Sequence, residues 1–187
     1  NAEDLRSQAS LYMSISLDTM QLLAQGTFNL ADERTENDAP LRSYQQANYF
    51  DIDVDISAFP LDIAEFFISN SVSEVKGHFS SHLELEGLPS RPNIKGHLIA
   101  ERGSFKVNFL NTRYRFNSAF ADIDNYLFDL SGTILYDKYN HRAVLIEGIS
   151  HDHLRDFGFD ARLRTSRFLA LDTHKGDNDL FYGHALG

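Results

Sequence analysis

Apolar and polar residues alternate along most of the chain. In "FDIDVDIS" Phe50, Ile52, Val54 and Ile56 alternate with Asp51, Asp53, Asp55 and Ser57, the period of two expected where one face of a strand is buried. Val75, Phe79, Leu83 and Leu85 are interleaved with Lys76, His78, His82, Glu84 and Glu86. Ile94, Gly96, Leu98 and Ala100 alternate with Lys95, His97 and Glu101. Phe105, Val107 and Phe109 share a face, as do Tyr126, Phe128, Leu130, Gly132, Ile134 and Tyr136, and then Phe157, Phe159, Ala161 and Leu163. Upstream, Ala24, Gly26, Phe28 and Leu30 repeat the pattern. These runs predict about ten strands, spaced as in an all-β architecture.

Turn chemistry separates the runs. In "GLPSRPN" Pro89 and Pro92 sit where no ladder N–H is required. Gly103 in "ERG" offers a tight hairpin, and "DKYNHR" and "HKGDND" read as polar turns. One segment breaks the strand period. "PLDIAEFFISNSVSE" starts at Pro60 and places Leu61, Ala64, Phe67 and Ile68 at helical spacing, with Asp62 and Glu65 near its start. It predicts a short amphipathic helix over 61–69. That helix either caps a concavity with Phe66, Phe67 and Ile68 or completes a core between sheet segments, and core packing is the preferred reading. The acidic "LADERTENDAPLRS" over 30–43 reads as a flexible loop.

Composition narrows the partners. With 187 residues, 15 Phe, 8 Tyr and 42% hydrophobic residues, the chain has enough apolar surface to fold as a single unit. A net charge of -10 opposes binding to nucleic-acid phosphates, which needs clustered Lys and Arg. No polybasic run is present to hold an anionic membrane surface, so lipid contact would be made through acyl chains. Zero cysteines excludes disulfides, thiolate zinc sites and thiol nucleophiles. No apolar run approaches the roughly 20 residues of a membrane-spanning helix. The start "NAEDLRSQAS" has no basic segment leading into an apolar one. Because "DNDLFYGHALG" stops while strand character is still building, the chain is expected to be a piece of a longer protein, with any anchor outside it.

Candidate chemistry is sparse. Asp51, Asp53 and Asp55 open like a calcium loop, but Ile56 and Asp62 stand where that loop needs Gly and Glu; a solvated strand face is the plainer reading. His151 and His153, and likewise His78 and His82, could face one metal, yet spacing implies no third ligand and both pairs lie among polar groups expected to be exposed. No nucleophile-elbow, zinc-protease, nucleotide-binding or dinucleotide motif occurs. The sequence therefore supplies no catalytic, metal or cofactor residues. The apolar stripes remain as the signal, and alone they also fit the core of an ordinary β-sandwich.

From about residue 75 onward the chain resembles the C-terminal region of the TamB family, within the AsmA-like group of Gram-negative envelope proteins, in its Bacteroidota branch. The resemblance is carried by "GLPSRPNIKGHLIAERGSFKV", "FLNTRYRFN", "GISHDHLRDFGFDARLRTSRFLALDT" and "DNDLFYGHALG". It implies a long antiparallel or mixed sheet curled into an open trough with an apolar concave face. It further implies a periplasmic, non-enzymatic segment of a protein anchored in the inner membrane, serving phospholipid transport to the outer membrane or outer-membrane protein assembly. The implied partners are phospholipid acyl chains and an Omp85-type (TamA-like) barrel engaged through other regions. On this reading the stripe residues become a candidate groove floor: Phe50, Ile52, Val54, Val75, Phe79, Leu83, Leu85, Leu98, Phe105, Val107, Phe109, Phe128, Leu130, Ile134, Phe157 and Phe159. Gly26, Gly77, Gly96 and Gly132 would let the sheet bend. Two other readings stand beside it: a scaffold that accepts a foreign strand on a sheet edge, and a closed β-sandwich adhesin or sugar-binding module.

Overall fold

The structure is a computed structural model, described over residues 7–30, 49–159, 162–173 and 183–186. The expected acidic loop lies outside the described residues apart from Leu30, as do "HKGDND" and most of the C-terminal stretch.

Long alternating runs become long strands. β1 (Ser7–Leu17), β2 (Met20–Leu30), β3 (Tyr49–Pro60), β4 (Val72–Leu88), β5 (Arg91–Val107) and β6 (Thr112–Ile123) form an antiparallel meander, each pairing with the next. Beyond β6 the sheet forks. One branch runs from Asp122 and Ile123 into β7 (Leu127–Asp129), then β10 (Ile149–Asp152) and β11 (Arg155–Phe159). The other leaves β6 at Arg115 for β8 (Ile134–Tyr136), β9 (Arg142–Leu145) and β12 (Leu163–Arg164). β13 (Leu169–Thr173) and β14 (Gly183–Leu186) pair separately. The 12-stranded sheet does not close; it curls into an open trough, so the closed sandwich is not formed. Strong right-handed twist over many strands forces such curling.

Three residues with positive φ shape the curl. Ala58 (φ 52°), Glu74 (φ 56°) and Arg102 (φ 50°) interrupt β3, β4 and β5. The β3–β4 register shifts between Ile56 and Phe59, and the β4–β5 register shifts between Ser73 and Lys76. These are bulges, which bend a strand and re-aim its side chains. After each one the inward set changes parity. Gly96, with φ +150°, lies so close to β4 that a Cβ would overlap the His82 carbonyl oxygen.

Two sequence expectations fail here. Gly103 makes no hairpin; it lies within β5 beneath the Phe116 ring, and the chain reverses later, where the Asn111 N–H donates to the Asn108 carbonyl (3.2 Å). The stretch 85–107 is therefore two strands and one turn. Nor is Tyr126–Tyr136 one stripe. A turn at Ser131–Gly132 (Gly132 φ +88°) separates β7 from β8, so Leu135 is buried and Ile134 is exposed.

A closed core plugs one end of the trough. The Tyr114 and Phe168 rings stack at 4.9 Å, with Leu135 and Ala143 beside them, and the Tyr114 hydroxyl donates to the Leu169 carbonyl (2.9 Å). Burial raises the Tyr114 pKa, so the phenol stays protonated and can donate. Asp137, whose side chain is wholly buried, pins this end. Its Oδ1 accepts from the N–H groups of Tyr139 (2.8 Å) and His141 (2.9 Å), and its Oδ2 from Leu169 N–H (2.9 Å).

Candidate functional site: an apolar trough

The concave face encloses a cavity of about 470 Å³, within the range of small-molecule sites. Its floor comes from β4, β5 and β6. Val75, Phe79 and Leu83 project from β4, Leu98 and Phe105 from β5, and Ala119, Ala121 and Ile123 from β6. Cross-strand register aligns them: Phe79 lies opposite Ala100, Leu98 opposite Ala121, and Ala100 opposite Ala119. The alanines give the trough its depth. Both branches of the fork supply the far wall, with Phe128, Leu130 and Phe157 from one and Leu135 and Leu145 from the other.

The helix forms a roof. A 3-10 turn, Leu61–Ala64, runs into α1 (Glu65–Ile68) as predicted for 61–69. It does not complete a core between sheet segments, since none of these residues is buried. Leu61, Ile63, Ala64, Phe67 and Ile68 face the cavity, and the Phe67 ring meets Phe157 of β11 at 5.2 Å. Glu65 holds the other side, its Oε1 accepting from the Val75 N–H (2.6 Å). Phe66 points to solvent, 86% exposed, so it does not plug the trough.

Polar chemistry inside is scant. Ser81, Ser104 and Thr133 are the hydroxyl-bearing residues of the lining, and Ser81 Oγ is already donated to the His97 carbonyl (2.8 Å). Behind the wall, His151 packs against Phe128 (4.9 Å) and Phe157 (5.6 Å). Burial lowers its pKa, keeping the imidazole neutral, and Nδ1 accepts from the Leu154 N–H (3.0 Å). His151 and His153 are buried rather than exposed as expected. Among the described residues no group of three or more His, Asp or Glu side chains is placed to hold a metal ion.

The outer face has the opposite character. Asp51 lies opposite Glu86, Asp53 opposite Glu84, and Asp55 opposite His82, whose Nδ1 meets Asp55 Oδ1 at 2.7 Å. That hydrogen bond raises the His82 pKa despite some desolvation. The Asp-x-Asp-x-Asp run is thus a solvated strand face.

Of the stripe residues, Val75, Phe79, Leu83, Leu98, Phe105, Phe128, Leu130 and Phe157 line the cavity. Phe50, Ile52, Val54 and Leu85 lie on the same face of the sheet outside the cavity, Ile52 opposite both Gly26 and Leu85, and Phe50 against Phe28 (6.1 Å). Val107 packs instead on the Tyr114–Phe168 core. Phe109 stands exposed in the β5–β6 turn, and Ile134 is exposed because the turn at Gly132 breaks the stripe. Phe159 pairs through its backbone with Ile149. Apolar lining residues missed from the sequence are Val72, Phe116, Ala119, Ala121, Ile123, Leu135, Leu145, Ile149 and Leu154; the alternation of "SAFADI" carried the signal for Ala119, Ala121 and Ile123. No family model, curated protein or solved structure matches the chain.

Proposed function

We propose that the trough is a non-enzymatic binding groove for lipid acyl chains, serving phospholipid traffic or outer-membrane assembly in a Gram-negative envelope, as the TamB resemblance implies. The observation that carries this reading is the lining: hydrocarbon from β4–β6, both branches and the roof, with three hydroxyl-bearing residues. Each methylene moved from water into such a space contributes about 0.8 kcal/mol. A headgroup has no charged partner inside and stays in solvent. The acidic outer face keeps the other side of the sheet wet, so bound chains gather on one face only. Because the floor offers hydrocarbon without a charged anchor, a chain can shift along it at little cost. Transport then needs no chemistry from the protein.

Protein purified without detergent and examined by native mass spectrometry is expected to carry species that extract as acyl lipids. Lipid-free protein that also fails to take up a fluorescent fatty acid would overturn the reading. The roof makes a further expectation. Removing the Phe67–Phe157 contact in Phe67→Ala loses an aromatic pair of about 0.5–1.5 kcal/mol. Stopped-flow release of that fatty acid should accelerate by up to about tenfold.

A further inference from the structure

Cross-strand register sets four titratable side chains in one row on the outer face. Asp55 of β3 lies opposite His82 of β4, His82 opposite His97 of β5, and His97 opposite Asp122 of β6. Alternation turns this row away from the trough, since the neighbours Ser81, Leu83, Leu98, Ala121 and Ile123 line the cavity. Two imidazoles therefore stand across from each other on adjacent strands, where directly opposed Cβ atoms are about 4.5–5.5 Å apart. The sequence pairs His82 with His78 instead, but four residues along a strand span about 13 Å. The nearer partner of His82 comes from the next strand.

The pair has the dimensions of a chelate. The His82 and His97 ring centroids are 6.1 Å apart, and two imidazoles that each place a nitrogen about 2.0–2.1 Å from one ion have centroids roughly 5–6.5 Å apart. Asp55 Oδ1 lies 2.7 Å from His82 Nδ1. An ionised carboxylate only accepts, so Nδ1 carries the proton and the Nε2 lone pair is left for another partner. A carboxylate placed behind a histidine in this way fixes its tautomer and makes it a better metal ligand. His97 stacks on the Phe120 ring at 6.2 Å with 18° between the planes, which restricts how its imidazole turns. The Asp55 hydrogen bond, with the charges of Asp55, Asp53 and Glu84, raises the His82 pKa. The same negative potential attracts a cation, which competes with the proton for Nε2.

We propose that His82 and His97 together bind a divalent transition-metal ion on the outer face of the sheet, Cu²⁺ more tightly than Zn²⁺, with Asp55 positioning His82. Imidazole suits these ions, and affinity in the first-row series peaks at Cu²⁺. Among the described residues no third side chain is placed to bind, so water completes the coordination. Mg²⁺, which takes oxygen ligands, is rejected. The inference does not depend on what the cavity binds, because both histidines lie on the opposite face.

Calorimetric titration of the untagged chain with Cu²⁺ tests it, with Mg²⁺ as the control ion. A Cu²⁺ site showing two nitrogen ligands by electron paramagnetic resonance is expected, and no binding of Mg²⁺. His82→Asn and His97→Asn should each lose this site. His78→Asn, opposite Glu101 rather than another histidine, should keep it. Asp55→Ala retains both ligands and should weaken binding about tenfold or more, while Asp55→Asn loses less because its amide oxygen still accepts from Nδ1. Circular dichroism shows whether each variant keeps the wild-type fold. Folded wild-type chain that binds no Cu²⁺, or a His82→Asn/His97→Asn double variant that binds it as the wild type does, overturns the inference. Loss in only one of the two single variants overturns the shared site, and undiminished binding in Asp55→Ala overturns the positioning role.

Discussion

Ala121→Phe is expected to abolish acyl-chain uptake while the sheet remains folded. Ala121 is 1% exposed and its side chain forms part of the cavity lining opposite Leu98. A phenyl group there would fill the space that Ala100, Ala119 and Ala121 of β5 and β6 leave in the lining. Titration with a fluorescent fatty acid should show binding weakened well beyond tenfold, more than about 1.4 kcal/mol. Stability should hold or rise, because burying a Phe side chain contributes about 1.5–3 kcal/mol against an overpacking cost of about 1–3 kcal/mol. Phe120→Ala is the matching control. Its side chain is exposed on the opposite face of the same strand, and binding should be unchanged. Equal loss in both variants would show that binding does not occur in the trough.

Asp137→Ala is expected to cost about 3 kcal/mol, at the upper end of ordinary single-site effects. It strands the N–H of Leu169, a residue 1% exposed, together with turn donors from Tyr139 and His141. Each buried donor left unpaired costs about 1–3 kcal/mol, reduced where water can reach the turn. Urea unfolding measures the loss, and Asp137→Asn should cost less because its amide oxygen can still accept. The same carboxylate makes stability depend on acid. Burial pushes its pKa up, but the hydrogen bonds from Leu169, His141 and Tyr139 outweigh that and hold it below the ordinary value. A lowered carboxylate pKa gives stability that is fully present above the unfolded value, near 3.9, and lost as pH falls through the folded value. Asp137→Ala should therefore flatten the acid side of the stability profile. Because Asp137 ties β13 to the β8–β9 turn, its loss should also free Phe168 from Tyr114 and loosen the closed end of the trough.

How far the fold could be read from the sequence depends on which residue types carried each face. On β4 and β5, large residues such as Phe79, Leu83 and Leu98 marked the buried side plainly, and the floor they predict is present. The helix was legible because Pro60 and the spacing of Leu61, Ala64, Phe67 and Ile68 break the period of two. β6 is harder to read because two of its four inward positions beside the cavity, between Phe116 and Ile123, are Ala119 and Ala121, small residues that give little hydrophobic contrast. Bulges were invisible. Ala58, Glu74 and Arg102 adopt positive φ without being glycine or asparagine, so nothing in their identity signals the change of parity that follows. That is why Gly103 looked like a hairpin when it is the place where Phe116 crosses a long strand. Ile134 was misassigned for a related reason: a period of two was carried across a turn that resets it. The match to a trough also left the closed core unseen, since Val107 looks identical to a floor residue until Phe168 arrives from far along the chain.

Whether acyl chains enter the concave face is tested most directly by site-specific photocrosslinking. Benzoylphenylalanine would replace Leu98 or Phe128 inside the trough, and Phe120 or Ile134 outside it, with an acyl lipid supplied during irradiation. Adducts of lipid mass at the first two positions and none at the second two are the expected outcome. Adducts on the outer face alone, or none at any position from protein that is folded, would contradict it.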